Sequence, residues 1–166
     1  MPIQVAVCGP RHATTQEETH AYEVGALLAK HGVTVICGGG IGVMAAVARG
    51  VRANDGVVIG IRPTANRADA SPDLSAVIVT NMGEARNAII AWSADAMIAV
   101  GGSWGTLSEI ALAMRRGGIP VVALGGWQVV DPDTGAAVPG IIARATPQDA
   151  VTTALAGVRR PSEQRP

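Results

Sequence analysis

The sequence is poor in aromatic residues, with three Trp, one Tyr and no Phe in 166 residues. So few rings cannot build the stacking platform that binds single-stranded nucleic acids. Positive charge is not in excess either, because 13 Lys and Arg are balanced by 13 Asp and Glu. Without an extended basic face, nucleic acid is not an expected partner.

Long apolar runs are also missing. No stretch approaches the roughly 20 residues of a membrane span, and the N-terminal region has no basic segment followed by a long apolar one. We therefore expect a cytoplasmic protein without a membrane partner. Its two cysteines, Cys8 and Cys37, are interpreted as small buried side chains that the cytoplasm keeps reduced. The three histidines lack Cys or carboxylate partners at zinc-like spacing, which predicts no metal site.

Two familiar nucleotide-binding motifs are absent. The first glycine turn reads Gly9-Pro10-Arg11, which is not the G-x-G-x-x-G fingerprint of dinucleotide-binding domains. The only lysine, Lys30, lies near the end of a predicted helix, so there is no P-loop for ATP hydrolysis.

What the chain does contain is 48% hydrophobic residues, enough for one domain with a real core. We expect a single Rossmann-like nucleotide-binding domain over residues 1–158 and a frayed polar tail over 159–166. Apolar runs predict strands, and the segments between them predict helices. The predicted strands are 3–8, 33–37, 57–61, 76–79, 96–100 and 120–124, and the predicted helices are 15–31, 43–52, 83–92, 107–116 and 148–156.

This alternation is typical of an α/β protein with a doubly wound, mostly parallel Rossmann-like sheet and helices on both faces. Thr15 and Glu18 suggest a capping box at the start of the first helix, and Gly32 suggests a left-handed cap at its end. Residues 62–75 are predicted to form a surface loop, and whether it closes over a ligand is left open.

Glycine-rich turns follow three of the strands, at the carboxyl ends where such sheets bind ligands. The turn that begins at Gly101 opens a helix, so its free N–H groups and the helix dipole favour an anion such as phosphate. The candidate ligand-binding residues are Gly9, Gly38, Gly39, Gly40, Gly42, Gly101, Gly102, Trp104, Gly105 and Thr106.

Most of these candidates have a purely structural alternative. Thr106 and Glu109, placed in the first turn of a predicted helix, could form a capping box instead of facing a ligand. Arg86 could bind an anion or be a solvated charge, and the glycines of 38–42 could form a packing turn. Trp104 could stack on a ligand ring or pack at a subunit contact.

Two motifs, GGGIGVM at 38–44 and GGSWGTLSE at 101–109, with Arg86-Asn87 between them, resemble the Lonely Guy (LOG) family. The resemblance covers most of residues 3–125. Enzymes of that family cleave the N-glycosidic bond of nucleoside 5′-monophosphates. The Arg-Asn pair is similar to the branch of molybdenum cofactor carriers, which implies that cofactor as cargo and no required cofactor. Family members similar to this chain are homo-oligomers, which implies a homodimer or homotetramer.

The resemblance also implies roles for individual residues. Arg86 and Glu109 match the catalytic pair, and Gly101, Gly102, Gly105 and Thr106 match the phosphate-binding turn. The enzymes carry PGGxGTxxE and an Arg-Lys pair, so Val100 is assigned to the proline position and Asn87 to the lysine position. These departures favour a binding protein for a phosphorylated nucleotide or pterin, held between the two glycine turns. The alternative is a LOG-type nucleoside 5′-monophosphate phosphoribohydrolase that uses Arg86 and Glu109.

Overall fold

The computed structural model describes residues 1–158, so the predicted frayed tail over 159–166 lies outside the described residues. Strands and helices alternate along the chain as the apolar pattern predicts. The strands are β1 (Gln4–Cys8), β2 (Thr34–Cys37), β3 (Val57–Arg62), β4 (Ala76–Val79), β5 (Ala96–Val100), β6 (Val121–Leu124) and β7 (Ile141–Arg144). The helices are α1 (Thr15–Lys30), α2 (Val43–Arg52), α3 (Asn87–Ser93), α4 (Trp104–Arg116) and α5 (Pro147–Ala156), with a 3₁₀ helix over Gly83–Arg86.

The seven strands form one parallel sheet in the order β4-β3-β2-β1-β5-β6-β7. β2, β3 and β4 are added in turn on one side of β1, and the chain then crosses back to place β5 on the other side of β1. Strand order therefore reverses between β1 and β5, and a crevice opens at their carboxyl ends. The predicted doubly wound α/β fold is confirmed.

Each face of the sheet is covered by helices because the inner strands alternate their side chains between two apolar cores. Val5 and Val7 of β1 pack with α1, α2 and α5, whereas Ala6 and Cys8 pack with α3 and α4. β5 is buried on both faces along its whole length. This double burial explains why the central strands are continuous apolar runs rather than alternating ones.

Several predicted boundaries are wrong. The capping box of α1 lies one residue earlier, where Thr14 and Glu17 cap each other's backbone N–H groups. The predicted helix over 83–92 begins as a 3₁₀ turn, and the one over 107–116 begins at Trp104. β7, a strand of four residues at the sheet edge, was not predicted. Gly32 does adopt a positive φ of 67° just after α1, as predicted.

Among residues 1–158, no helix is both long enough and apolar enough to cross a membrane.

Candidate functional site

A cleft of about 690 Å³ opens beyond the carboxyl ends of β1 and β5, where strand order reverses. Most of the residues predicted from the glycine turns and the family resemblance meet there. Those that line the cleft are Gly9, Gly38, Gly40, Arg86, Gly102, Trp104, Gly105, Thr106 and Glu109. The lining also includes residues that the sequence analysis did not propose as ligand-binding candidates, chiefly Cys8, Arg62, Asn87, Ser103 and Trp127.

Three predicted glycines do not line the cleft, namely Gly39, Gly42 and Gly101. All three have positive φ values, between 68° and 69°, which favour glycine. A side chain at Gly42 would collide with the carbonyl oxygen of Arg11. One at Gly101 would collide with the carboxylate of Glu17. Backbone conformation and close packing therefore account for glycine at these positions.

The N-terminus of α4 forms one wall of the cleft. Ser103 is the N-cap, and its hydroxyl accepts a hydrogen bond of 3.2 Å from the N–H of Thr106. The Thr106 hydroxyl lies 2.9 Å from the same Ser103 oxygen. A capping box between Thr106 and Glu109 is therefore wrong, because the helix begins earlier and Glu109 lies in its second turn.

Gly102 and Gly105 differ in what surrounds them. A side chain at Gly102 would meet Trp127 at 2.8 Å, so packing requires glycine there. At Gly105 the nearest atom to an added Cβ is the Ser103 hydroxyl oxygen, 3.8 Å away. Gly105 therefore leaves open space beside the first N–H groups of α4, which have no intrahelical acceptor.

Arg86 is only 9% exposed and acts as a brace across the floor of the cleft. Its Nη1 donates to the carbonyl oxygen of Gly38 at 3.0 Å and also to that of Ile61. These bonds join the start of α3 to the ends of β2 and β3. The alternative of a solvated surface charge is wrong.

Arg62 is buried beside the same turn, although the sequence analysis placed it at the start of an exposed loop. It is the last residue of β3 and is 4% exposed. Its guanidinium donates to the carbonyl oxygens of Ala68 at 3.0 Å and of Gly39 at 3.5 Å. Burial, and then the charges of Arg11 and Arg86, lower the pKa of Arg62, whereas Asp69 acts in the opposite sense.

Glu109 is 7% exposed at the bottom of the cleft. Burial raises its pKa to about 7, and Glu84 adds to the effect, while Arg86 and the Cys8 thiol oppose it. Burial also raises the pKa of Cys8 well above its usual value, and so does the neighbouring Glu109. The predicted burial of both Cys8 and Cys37 is confirmed, and neither forms a disulfide.

Asn87 follows Arg86 and links three elements at the edge of the cleft. Its amide nitrogen donates to the Ser108 hydroxyl at 3.1 Å and to a carboxylate oxygen of Glu84 at 3.4 Å. Its side-chain oxygen is buried without a partner among the described residues. Asn87 therefore holds α3 against α4 and has one acceptor still unpaired.

The family pattern PGGxGTxxE aligns with residues 101–109, at the start of α4. Aligned without a gap from Glu109 backwards, PGGxGTxxE puts its proline at Gly101 and its second glycine at Ser103. The assignment of Val100 to the proline position is therefore wrong. The departure that matters at the site is Ser103, because it caps α4 through its side chain.

The fold and this cleft are those of a Rossmann-like ligand-binding domain, and the chain belongs to the SLOG cluster4 family, whose profile matches residues 2–151. The cytokinin riboside 5′-monophosphate phosphoribohydrolase of Mycobacterium tuberculosis is 36% identical over 126 residues. That alignment covers 71% of this chain and 66% of the relative. The predicted relationship to the LOG superfamily is confirmed.

Two solved structures resemble this one closely. The molybdenum cofactor binding protein of the phototrophic bacterium Rippkaea orientalis is 31% identical with a TM-score of 0.82, covering 92% of this chain and 94% of that one. The molybdenum cofactor carrier protein of Chlamydomonas reinhardtii is 29% identical with a TM-score of 0.80, covering 95% and 98%. Together with the family, these relatives support a ligand-binding or LOG-type role.

Residues 1–158 contain no group of three or more His, Cys, Asp or Glu side chains arranged to hold a metal ion.

Proposed function

We propose that this protein binds a phosphorylated nucleotide or pterin in the cleft between the Gly38 and Gly102 turns. The observation that carries the proposal is the open space at Gly105, beside the N-terminus of α4. A side chain would fit there, yet the residue is glycine. Neither packing nor a positive φ accounts for it. The close approach of a ligand phosphate to the backbone does account for it.

The cleft offers a suitable contact for the phosphate and another for the planar ring of such a ligand. The phosphate accepts hydrogen bonds from the first N–H groups of α4 and lies at the positive end of the helix dipole. The planar ring packs on Trp104, which is 79% exposed. Molybdenum cofactor is one such phosphorylated pterin, and the names of the two structural relatives support it as cargo.

The hydrogen bonds of Arg86 favour a binding role over catalysis. Its Nη1 is shared by two backbone carbonyls, so in this arrangement it supports the wall of the cleft. Ser103 replaces a glycine of the enzyme pattern and uses one N–H of the turn internally.

Substitution of Gly105 by Ala tests the proposal. The added methyl group fits the free protein, so thermal unfolding should be unchanged or slightly raised. Calorimetry first identifies which of AMP, GMP and a phosphorylated pterin the wild type binds. For that ligand we expect Gly105→Ala to lose affinity at least tenfold, about 1.4 kcal/mol. Ala111→Ser, on the exposed side of the same helix, is the matched control and should bind normally. Equal affinity in Gly105→Ala would contradict a phosphate at this turn.

The phosphoribohydrolase alternative rests on Glu109. A carboxylate with a pKa of about 7 in the cleft is populated in both forms at neutral pH, which suits a general acid or base. The test is incubation with nucleoside 5′-monophosphates, followed by chromatography of free base and ribose 5-phosphate. Release that is lost in Glu109→Gln would establish catalysis, whereas no release from a protein that binds these ligands would leave binding as the function.

A further inference from the structure

We infer that the cleft has a second anion subsite, formed by Arg11, Arg62 and Arg86, and that the bound ligand presents a second anionic group there. This inference rests on the proposed function, because the first anionic group is the phosphate at the N-terminus of α4. The second subsite lies beside the Gly38–Gly40 turn. A phosphorylated ligand with a diphosphate or another oxyanion substituent fits both.

Two of the three arginines have incomplete hydrogen bonding although they are buried. Arg62 and Arg86 are 4% and 9% exposed, and the Nε atom of each is buried without a partner among residues 1–158. A buried donor without an acceptor is unfavourable. Both side chains also line the cleft, so an oxyanion bound there contacts the parts of the guanidinium groups that face it and offsets their buried charge.

The charge of this cluster is not matched by the acceptors that it contacts. The hydrogen bonds of Arg62 and Arg86 all go to neutral backbone carbonyls. Arg11 lies near enough that its charge, like that of Arg86, lowers the pKa of Arg62. Three guanidinium groups in one partly enclosed space repel one another, and an oxyanion relieves that repulsion.

The glycine turn after β2 is shaped around these arginines. A side chain at Gly38 would lie 2.6 Å from Nη1 of Arg86, and one at Gly40 would lie 3.2 Å from Nη1 of Arg62. A side chain at Gly39 would lie 3.2 Å from Cδ of Arg62. Gly38 and Gly40 therefore leave room for the guanidinium groups of Arg86 and Arg62 as well as for Met44, which gives the Gly38 cluster a role distinct from that of the α4 turn.

The carboxylates near the three arginines are not hydrogen-bonded to Arg62 or Arg86. Asp69 acts on Arg62 through its charge, while Glu84 and Glu109 lie on the side of the cleft nearer α4 and Asn87. Burial keeps much of Glu109 protonated at neutral pH, because its pKa is about 7. Among residues 1–158, no carboxylate is hydrogen-bonded to Arg62 or Arg86, so we assign a bound oxyanion as their charged partner.

Nuclear magnetic resonance of ¹⁵N-labelled protein tests the subsite with inorganic phosphate, a probe that has no ring. Inorganic phosphate should give saturable shifts of the Arg62 and Arg86 Nε–Hε signals, and separate shifts of the Trp104 and Gly105 backbone amides. Gly105→Ala should weaken only the amide response. If the amide signals move and the arginine signals do not, the second subsite is wrong and the proposed function stands.

Calorimetry then distinguishes a second group on one ligand from a separate ion. The wild type should bind ADP about tenfold more tightly than AMP, as expected for one added charge-assisted contact. Arg11→Ala should reduce that preference to below about threefold while AMP binding is kept, whereas the exposed Arg67→Ala should change neither value. Equal affinities for ADP and AMP, with phosphate still shifting the arginine signals, would overturn the two-anion ligand and identify a separate oxyanion. If nothing binds to either site, both proposals fail.

Discussion

Trp104 and Trp127 meet edge to face, with ring centroids 4.9 Å apart and an angle of 80° between the ring planes. One begins α4 and the other follows β6, and both line the cleft. Gly102 lies under the indole of Trp127 and would collide with it if it carried a side chain. The pair therefore forms an aromatic edge beside the turn that we propose binds an anion.

This arrangement predicts a role for Trp104 in binding the ligand ring. Removing one aromatic contact costs about 1 kcal/mol, so Trp104→Ala should weaken a nucleotide or pterin roughly fivefold. Inorganic phosphate should bind as it does to the wild type. Calorimetry gives both values, and Trp92→Phe, an exposed Trp beside Arg116, is the control. A phosphate affinity that falls in parallel would mean that Trp104 shapes the turn instead.

The raised pKa of Glu109 predicts a stability that depends on pH. Its pKa is about 7 in the fold and ordinarily 4.5, so the folded chain holds this proton more tightly. The resulting stabilisation is complete below pH 4.5 and is lost as pH rises through 7, by about 3 kcal/mol in total.

Glu109→Gln keeps the shape and removes the titration. Its free energy of unfolding in urea, relative to the wild type, should rise between pH 5 and pH 8 by up to about 3 kcal/mol. The exposed Glu23→Gln on α1 is the control for loss of a surface charge. A difference that does not vary with pH would show that Glu109 ionises normally.

Arg86 should contribute strongly to stability because it joins two strands to α3. Arg86→Met would leave the carbonyl oxygens of Gly38 and Ile61 without this donor. We expect a loss of about 3 kcal/mol in urea unfolding, from two buried acceptors that lose a charged partner. The exposed Arg67→Met should change stability by less than about 0.5 kcal/mol. A small effect at Arg86 would contradict the bracing role.

Ser103 allows the cap of α4 to be separated from the anion site. Ser103→Ala should cost about 1 kcal/mol of stability, because the Thr106 N–H loses its acceptor. Ser103→Asp keeps a good N-cap but adds a negative charge, so stability should be retained and phosphate affinity should fall at least about tenfold. Thermal unfolding and calorimetry on both variants test this. Normal phosphate binding by Ser103→Asp would remove the anion site from the end of α4.

The family pattern and the strand ends together predicted much of the cleft. Glu109, Arg86 and Gly105 were candidates, and all three line it. Arg62 was missed because a polar, proline-containing segment follows it, and nothing local indicates that β3 extends to bury it. The only sequence signal was its position directly after an apolar run. Trp127 gave no signal, since it reaches the cleft through a loop.

The sequence by itself determined the alternation of apolar strands and helices, and with it the parallel sheet and the edge where the cleft opens. These features follow from local periodicity, which a one-dimensional pattern records. Only the tertiary structure decided that Arg86 braces Gly38, 48 positions away, and that the glycines of that turn make room for arginines. Such contacts depend on how distant segments pack, and burial then sets which polar groups are paired and how Glu109 ionises.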